Sequence, residues 1–419
     1  MDMMITPSRL SGTLDAISSK SFAHRLLICA ALADRPARIS LNGLSDDINA
    51  TIRCLTTMGC GIETQTGALL VQPLGETRPA SVALDCGESG STARFLLPLA
   101  ARLFGSFMLN GSGRLPGRPF APLCRALAGA GCSFDGDTLP LTGAGKMRAG
   151  DFSIEGGISS QFISGLLFAL PLLDGDSSIA LTTPLQSAAY VDMTIEVLAL
   201  FGIEIEKAEW GFRVKGKQQY RSPGEAQTEG DWSNAAFFLC MGALGGEVSL
   251  RGLSLQSTQG DREIMDILRR FGANTNTGDG GCTVTAGALH AISIDASQIP
   301  DLVPVLAVVA SAAGGETRIF NAQRLRIKES DRIKSTFDLL SGLGADVSIT
   351  EDGLAIRGKE KLSGGAVDGS GDHRIVMAAA TAACVCENPV VIRGCEAVNK
   401  SYPSFFKDYR AMGGAADVV

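Results

Sequence analysis

The chain lacks any C-x-x-C pair; the closest of its eleven cysteines are Cys384 and Cys386. That spacing fits neither a zinc site nor a disulfide framework. Cys29, Cys240 and Cys384 sit among apolar or small residues. Reduced thiols in a cytoplasmic protein are therefore expected. Met1-Asp-Met-Met-Ile has neither the basic start nor the apolar stretch of a secretory leader, which supports the same expectation. Long hydrophobic runs are missing too. The longest, near Phe162–Leu173 and Leu302–Gly314, are too short to span a bilayer. There is no excess of positive charge, and a net charge of −7 argues against bulk nucleic-acid binding. Aromatic residues are few: two Trp and four Tyr stand against fifty Gly, a balance that points to many tight turns and close packing.

What is present is a repeat. A helical pattern that ends in glycine and is followed by a short strand occurs six times, closing at Gly59, Gly131, Gly202, Gly272, Gly344 and Gly413. Successive glycines are 69 to 72 residues apart, and each suits a helix C′ position that needs positive φ. A nearly all-apolar helix precedes each copy, as at Phe162–Leu173, Ala235–Leu244, Leu302–Ala313 and Ile375–Val385. Helices apolar all round belong in a core. The unit reads strand, buried helix, strand, amphipathic helix, strand, strand. The last copy stops short of its final strand, and Met3–Thr6 is a spare strand at the other end. We expect the N-terminus to complete the C-terminal domain. The domains are then 14–228, and 1–13 with 229–419.

The densest charged stretch runs from Arg324 to Arg332 and holds Arg324, Arg326, Lys328, Glu329, Asp331 and Arg332. With a helix already begun at Lys328, Lys328 and Arg332 share one face. Glu329 lies beside them. One carboxyl group in a cationic pocket suits acid–base chemistry on a phosphorylated substrate; the plainer alternative is a solvated helix start.

Polar or charged residues recur where the buried helices begin: Lys20, Ser91, Ser159, Asp301 and Arg374. Ser18 or Ser19 can cap the first helix. Cys86 to Arg94 is a Gly-rich turn without the Gly-Lys-Ser/Thr of a Walker A motif. Arg114 and Arg118 lie in a Pro- and Gly-containing loop able to clamp an anion. Ser159, Ser160 and Gln161 open another buried helix, and Gln186 to Asp192 has the same look. Each alone also reads as capping or surface. If the repeats align, the helix N-termini face one cleft and attract a multiply anionic ligand.

Together and in order, these motifs resemble the 5-enolpyruvylshikimate-3-phosphate synthase family over essentially the whole chain. The resemblance implies an α/β fold, a two-domain inside-out α/β barrel with three βαβαββ repeats per domain and an active site in the interdomain cleft. It implies transfer of the enolpyruvyl group of phosphoenolpyruvate to the 5-hydroxyl of shikimate 3-phosphate, releasing phosphate. It assigns Lys20, Ser21, Arg25, Ser159, Ser160, Gln161, Ser187, Asp301 and Lys328 to shikimate 3-phosphate. It assigns Lys20, Gly90, Arg118, Gln161, Arg332, Arg374 and Lys400 to phosphoenolpyruvate. Asp301 matches the proton acceptor and Glu329 the proton donor, with Lys20 assisting. No metal or organic cofactor is required. A cytoplasmic monomer without nucleic-acid or membrane partners is expected, with room for the inhibitor glyphosate beside Gly90.

Three positions depart from the family pattern. Glu88 replaces the common Asn of the Gly-rich turn, Ile17-Ser18 replaces Pro-Gly, and Arg324-Leu325 replaces Asn-Trp. The sister transferase acting on UDP-N-acetylglucosamine usually carries a loop Cys ahead of Arg118, and Gly113 to Gly117 contain none. A non-catalytic scaffold would lack the acid–base pair, yet Asp301 and Glu329 are both present. An RNA-end-processing relative is disfavoured by the acidic charge.

Overall fold

The computed structural model describes residues 1–75, 77–278 and 281–419. The chain forms two units, Ser18–Thr228 and Met1–Ile17 with Glu229–Val419. In Ser18–Thr228 the helices are α1 (Lys20–Leu32), α2 (Asp46–Thr57), α3 (Gly90–Leu103), α4 (Ala121–Gly129), α5 (Ser160–Ala169) and α6 (Ala188–Leu200). In the other unit they are α7 (Trp232–Ala243), α8 (Ile264–Phe271), α9 (Val303–Ser311), α10 (Arg332–Gly342), α11 (His373–Ala382) and α12 (Phe405–Ala411).

The odd-numbered helices are the apolar ones. Every residue of α7, α9 and α11 is buried. With no polar face to offer water, such helices can only form the centre of a unit. The strands around them alternate buried and exposed side chains, as in Ser81–Asp85 and Asp151–Glu155, so each sheet covers the helices with one face and meets solvent with the other. Each unit has its own apolar core. This is the inside-out α/β arrangement: helices within and, among the described residues, six four-stranded mixed sheets outside.

All six repeat glycines have positive φ, from +77° at Gly202 to +105° at Gly59. Each ends an even-numbered helix and lets the chain turn into an antiparallel strand pair. In the sheet that begins with Ser81–Asp85, the first two strands are parallel because the buried helix α3 joins them, and the pairs that follow are antiparallel.

The sheets record how the chain passes between units. Strand Ser11–Asp15 pairs in parallel with Glu247–Arg251, and Glu225–Gln227 pairs in parallel with Ala37–Ser40. Strand Asp2–Thr6 lies between Val390–Arg393 and Ala415–Val418, antiparallel to both. The N-terminal strand thus takes the position left open at the end of the sixth repeat.

Ile5 is fully buried in that strand, opposite Val390 and Ala416. Ile5→Ala should cost about 2–5 kcal/mol and lower the urea midpoint of this unit. An unchanged midpoint would mean that the strand is dispensable.

Candidate active site

In the unit formed by residues 1–17 and 229–419, the N-termini of α7, α9 and α11 are tied together by one side chain. Arg374, in the first turn of α11, donates to Ser233 O in the first turn of α7 at 3.4 Å and to Asp301 Oδ2 ahead of α9 at 3.2 Å. Asp372 caps α11, accepting from Arg374 N at 3.0 Å. The residues expected to mark separate helix starts are therefore neighbours here.

Arg332 is the centre of this group. It is 1% exposed. Nη1 donates to Asp301 Oδ1 at 2.6 Å, Nη2 to Glu329 Oε2 at 2.7 Å, and Nε to Asp372 Oδ2 at 2.8 Å. A second bond joins Nη2 to Asp372 Oδ1 at 3.2 Å. Burial alone would favour losing the charge. The three carboxylates outweigh it, led by Asp372, and hold Arg332 well above the usual guanidinium range. Asp372 is itself fully buried and also accepts from Ser330 Oγ at 3.0 Å. Burial opposes its ionisation, but Arg332 prevails and pulls it below the usual carboxylate range.

Lys328 does not share a helical face with Arg332. The segment Gln323–Ile327 is a 3₁₀ turn, and α10 starts only at Arg332, capped by Asp331. The Asp331 side chain accepts from Lys334 N at 3.2 Å and so sets the helix start later than charge spacing suggests. Lys328 still reaches the cluster, with Nζ 3.9 Å from Asp301 Oδ1. Burial pulls its ammonium down to about 8, against the opposing pull of Asp301. Lys400 Nζ donates to Gly371 O at 2.7 Å, one residue before the α11 cap.

In the unit Ser18–Thr228, Ser19 caps α1 and accepts from Phe22 N. Lys20 follows as the first helical residue. A cation is unfavourable at a helix N-terminus, and Asp47 offsets it with a 2.7 Å ion pair to Nζ. Ser21 lies in the same first turn. Arg25 is buried; its Nε donates to Thr194 Oγ1 at 2.8 Å, Nη1 to Ser21 O at 2.7 Å and Nη2 to Tyr190 O at 2.8 Å. It braces α1 against α6, and burial draws its pKa down to about 10.

Gly90 opens α3 after the cap Ser89. A Cβ at Gly90 would lie 2.6 Å from Arg118 Nη1. Only glycine leaves the Arg118 guanidinium its place against the α3 N-terminus. Gln161, in the first turn of α5, donates from Nε2 to Ser91 Oγ at 2.9 Å and accepts from Arg94 Nη1 at 2.7 Å. Arg94 also stacks over Phe120 and Phe162, each 5.3 Å away. Ser159 caps α5 and Ser160 follows it. Ser187 caps α6 in a left-handed conformation, φ 53° and ψ 48°. That costs a non-glycine residue about 1–3 kcal/mol and is typical of functional turns.

Sequence reasoning missed four partners. Asp47 looked like an ordinary acid in the first turn of α2. Arg94 is a charge flanked by apolar residues near the start of α3, which is a usable signal. Asp372 sits two residues before Arg374 and reads locally as an ordinary helix cap. Asp261 was hidden in the charged run Asp261-Arg-Glu263. Of the departures, Leu325 is fully buried and Arg324 Nη2 donates to Ser297 O at 3.4 Å. Among the described residues no group of three or more His, Cys, Asp or Glu is arranged to hold a metal ion.

Two expectations follow from the buried charges. Asp372→Ala strands Arg332 without its fully buried partner and should cost about 3–5 kcal/mol, read as a fall in thermal midpoint; a fall within error would remove Asp372 from the account. Lys328 binds its proton less tightly folded (about 8) than its ordinary 10.5. Between those values the unfolded chain holds more protons, so stability rises with pH across that window. Lys328→Met should flatten the rise, and an unaltered slope would contradict the assignment.

The fold and these clusters can be set beside known proteins. The family model for EPSP synthase (3-phosphoshikimate 1-carboxyvinyltransferase) matches residues 4–409. The 3-phosphoshikimate 1-carboxyvinyltransferase of Clostridium novyi (strain NT) is 43% identical over 428 residues, covering 99% of this chain and 98% of the relative. That of Clostridium acetobutylicum is 44% identical over 417 residues, covering 98% and 97%. A solved EPSP synthase from Acinetobacter baumannii superposes with a TM-score of 0.82 at 26% identity, covering 100% of both chains. With a family model spanning nearly its whole length and full-length relatives at this identity, the chain belongs to the EPSP synthase (3-phosphoshikimate 1-carboxyvinyltransferase) family.

Proposed function

We infer that Asp301 and Glu329 are the acid–base pair of an enolpyruvyl transfer. The enzyme transfers the enolpyruvyl group of phosphoenolpyruvate to the 5-hydroxyl of shikimate 3-phosphate and releases phosphate, within the shikimate pathway of aromatic amino-acid biosynthesis. The observation that carries the residue assignment is the sharing of Arg332 by both carboxylates, at 2.6 and 2.7 Å, with Lys328 and Arg374 beside Asp301.

Addition needs one proton taken from the hydroxyl and one delivered to the methylene carbon. Asp301 accepts the first as the hydroxyl oxygen bonds to C2 of phosphoenolpyruvate. Glu329 delivers the second, turning C3 into a methyl group. Elimination returns a methyl proton, breaks the bond to the phosphate oxygen and restores the double bond. Glu329 must be protonated to act first, and Arg332 Nη2 is its donor at 2.7 Å. The substrate's carboxylate or phosphate competes for the Arg332 donors.

The remaining assignments follow the chemistry of the side chains. Arg118, Arg374 and Lys400 balance the phosphoenolpyruvate charge, with Gly90 leaving Arg118 room. Ser159, Ser160, Gln161, Ser187 and Lys328 suit the phosphate and hydroxyls of shikimate 3-phosphate. Lys20 and Gln161 serve both ligands. Arg25 contributes with Ser21 on the shikimate side, three of its nitrogens being committed to the brace. Glyphosate is proposed to compete with phosphoenolpyruvate beside Gly90. We place the enzyme in the cytoplasm, where its eleven buried free thiols would stay reduced. No described helix is long and apolar enough to cross a membrane.

Phosphate release should occur with phosphoenolpyruvate plus shikimate 3-phosphate and not with UDP-N-acetylglucosamine in its place. Asp301→Ala and Glu329→Gln should each lower kcat by about 10²–10⁴-fold while both substrates still bind. Near-normal kcat in either variant would overturn its role. Gly90→Ala should displace Arg118 and raise KM for phosphoenolpyruvate with little change for shikimate 3-phosphate; equal effects on both would contradict the assigned contact.

A further inference from the structure

A fourth carboxyl group lies behind the cluster, and neither the family resemblance nor the acid–base chemistry above uses it. Asp261 is 2% exposed, in the 3₁₀ turn Gly260–Glu263 before α8. Ser233 Oγ donates to its Oδ2 in a short hydrogen bond. The carbonyl of the same Ser233 accepts from Arg374 Nη1 at 3.4 Å, and Arg374 Nη2 grips Asp301 Oδ2 at 3.2 Å. Asp261, Ser233, Arg374 and Asp301 thus form one connected path from the back of the cluster to the proton acceptor.

The charges along this path are unevenly matched. Lys328, Arg332 and Arg374 stand against Asp301, Glu329 and Asp372. A further buried carboxylate whose hydrogen-bond partner is a neutral hydroxyl lacks a cation of its own. The charged groups facing Asp261 are Asp231, which caps α7, Asp301 ahead of α9 and Arg374 in α11. Its own turn adds Arg262 and Glu263, both exposed.

We propose that Asp261 is a positioning residue for the reaction: neutral, it leaves Arg374 committed to Asp301, and ionised, it divides Arg374 between two carboxylates and loosens Asp301. Burial and the neighbouring Asp301 push its pKa up to about 7, so the change of state falls in the working range of the enzyme. The inference rests on Asp301 being the proton acceptor.

The test is the pH dependence of kcat for phosphate release by the full-length enzyme, from about pH 5.5 to about pH 9. Wild type should show an inflection near 7. Asp261→Asn keeps an acceptor for Ser233 and mimics the neutral carboxyl group. It should match wild type at about pH 6 and exceed it several-fold at about pH 8, with the inflection gone and KM for both substrates little changed. Ser233→Ala removes a hydrogen bond that favours the ionised form and should move the inflection to higher pH. A purely structural role would alter the thermal midpoint without reshaping the profile. An inflection retained in Asp261→Asn, or unmoved in Ser233→Ala, overturns the proposal. Asp301→Ala run alongside separates the two failures. If it keeps wild-type kcat, the assignment of Asp301 has failed and the proposal with it. If it is inactive while Asp261→Asn keeps the wild-type profile, the role of Asp261 alone has failed.

Discussion

A buried guanidinium governs the chemistry-bearing unit. Arg332 can stay charged at 1% exposure only because Asp301, Glu329 and Asp372 surround it. Taking an ion out of water costs several kcal/mol, and removing any one partner leaves the rest uncompensated. The arrangement therefore specifies position more than it adds stability. It brings a residue ahead of α9, one before α10 and the cap of α11 to a single point. The three contributing loops come from two different repeats, so the group exists only when those repeats have packed.

The same logic recurs with neutral partners in the unit Ser18–Thr228. There Arg94 and Gln161 join the N-termini of α3 and α5, and Arg25 braces α1 against α6. A buried chain runs from His24 through Thr51 to Thr92 and links α1, α2 and α3 in steps of 2.7 Å. His24 is fully buried, and its pKa lies well below the ordinary value because desolvation dominates; it acts as a neutral hydrogen-bonding group. In both units the apolar helices supply the centre, and several of the candidate site residues lie at their N-termini, where helix dipoles favour anions.

Much of this was legible in the sequence because it rests on local rules. Positive-φ glycines, apolar helices and capping residues leave periodic marks, and they located the repeats and the helix starts at which the candidate site residues lie. The late start of α10 was not legible, because the charge pattern cannot tell that Asp331 rather than an earlier residue caps the helix. The strands Ser11–Asp15 and Glu225–Gln227 were unmarked, being short, largely exposed and defined only by partners 236 and 187 residues away. Asp47, Asp372 and Asp261 escaped for a related reason. An acid near a helix start has a sufficient local explanation, and only its spatial partner reveals a second role.

The role proposed for Glu329 as proton donor requires its carboxyl group to be protonated when both substrates are bound, beside an Arg332 Nη2 that donates to it at 2.7 Å. Isotope-edited infrared spectroscopy of ¹³C-glutamate-labelled enzyme measures this most directly, with the Glu329 band assigned by difference from Glu329→Gln. Spectra would be taken free and with phosphoenolpyruvate plus a shikimate 3-phosphate analogue lacking the 5-hydroxyl. The proposed role predicts a protonated carboxyl band for Glu329 when both ligands are bound. A band that stays ionised with both ligands in place would contradict it.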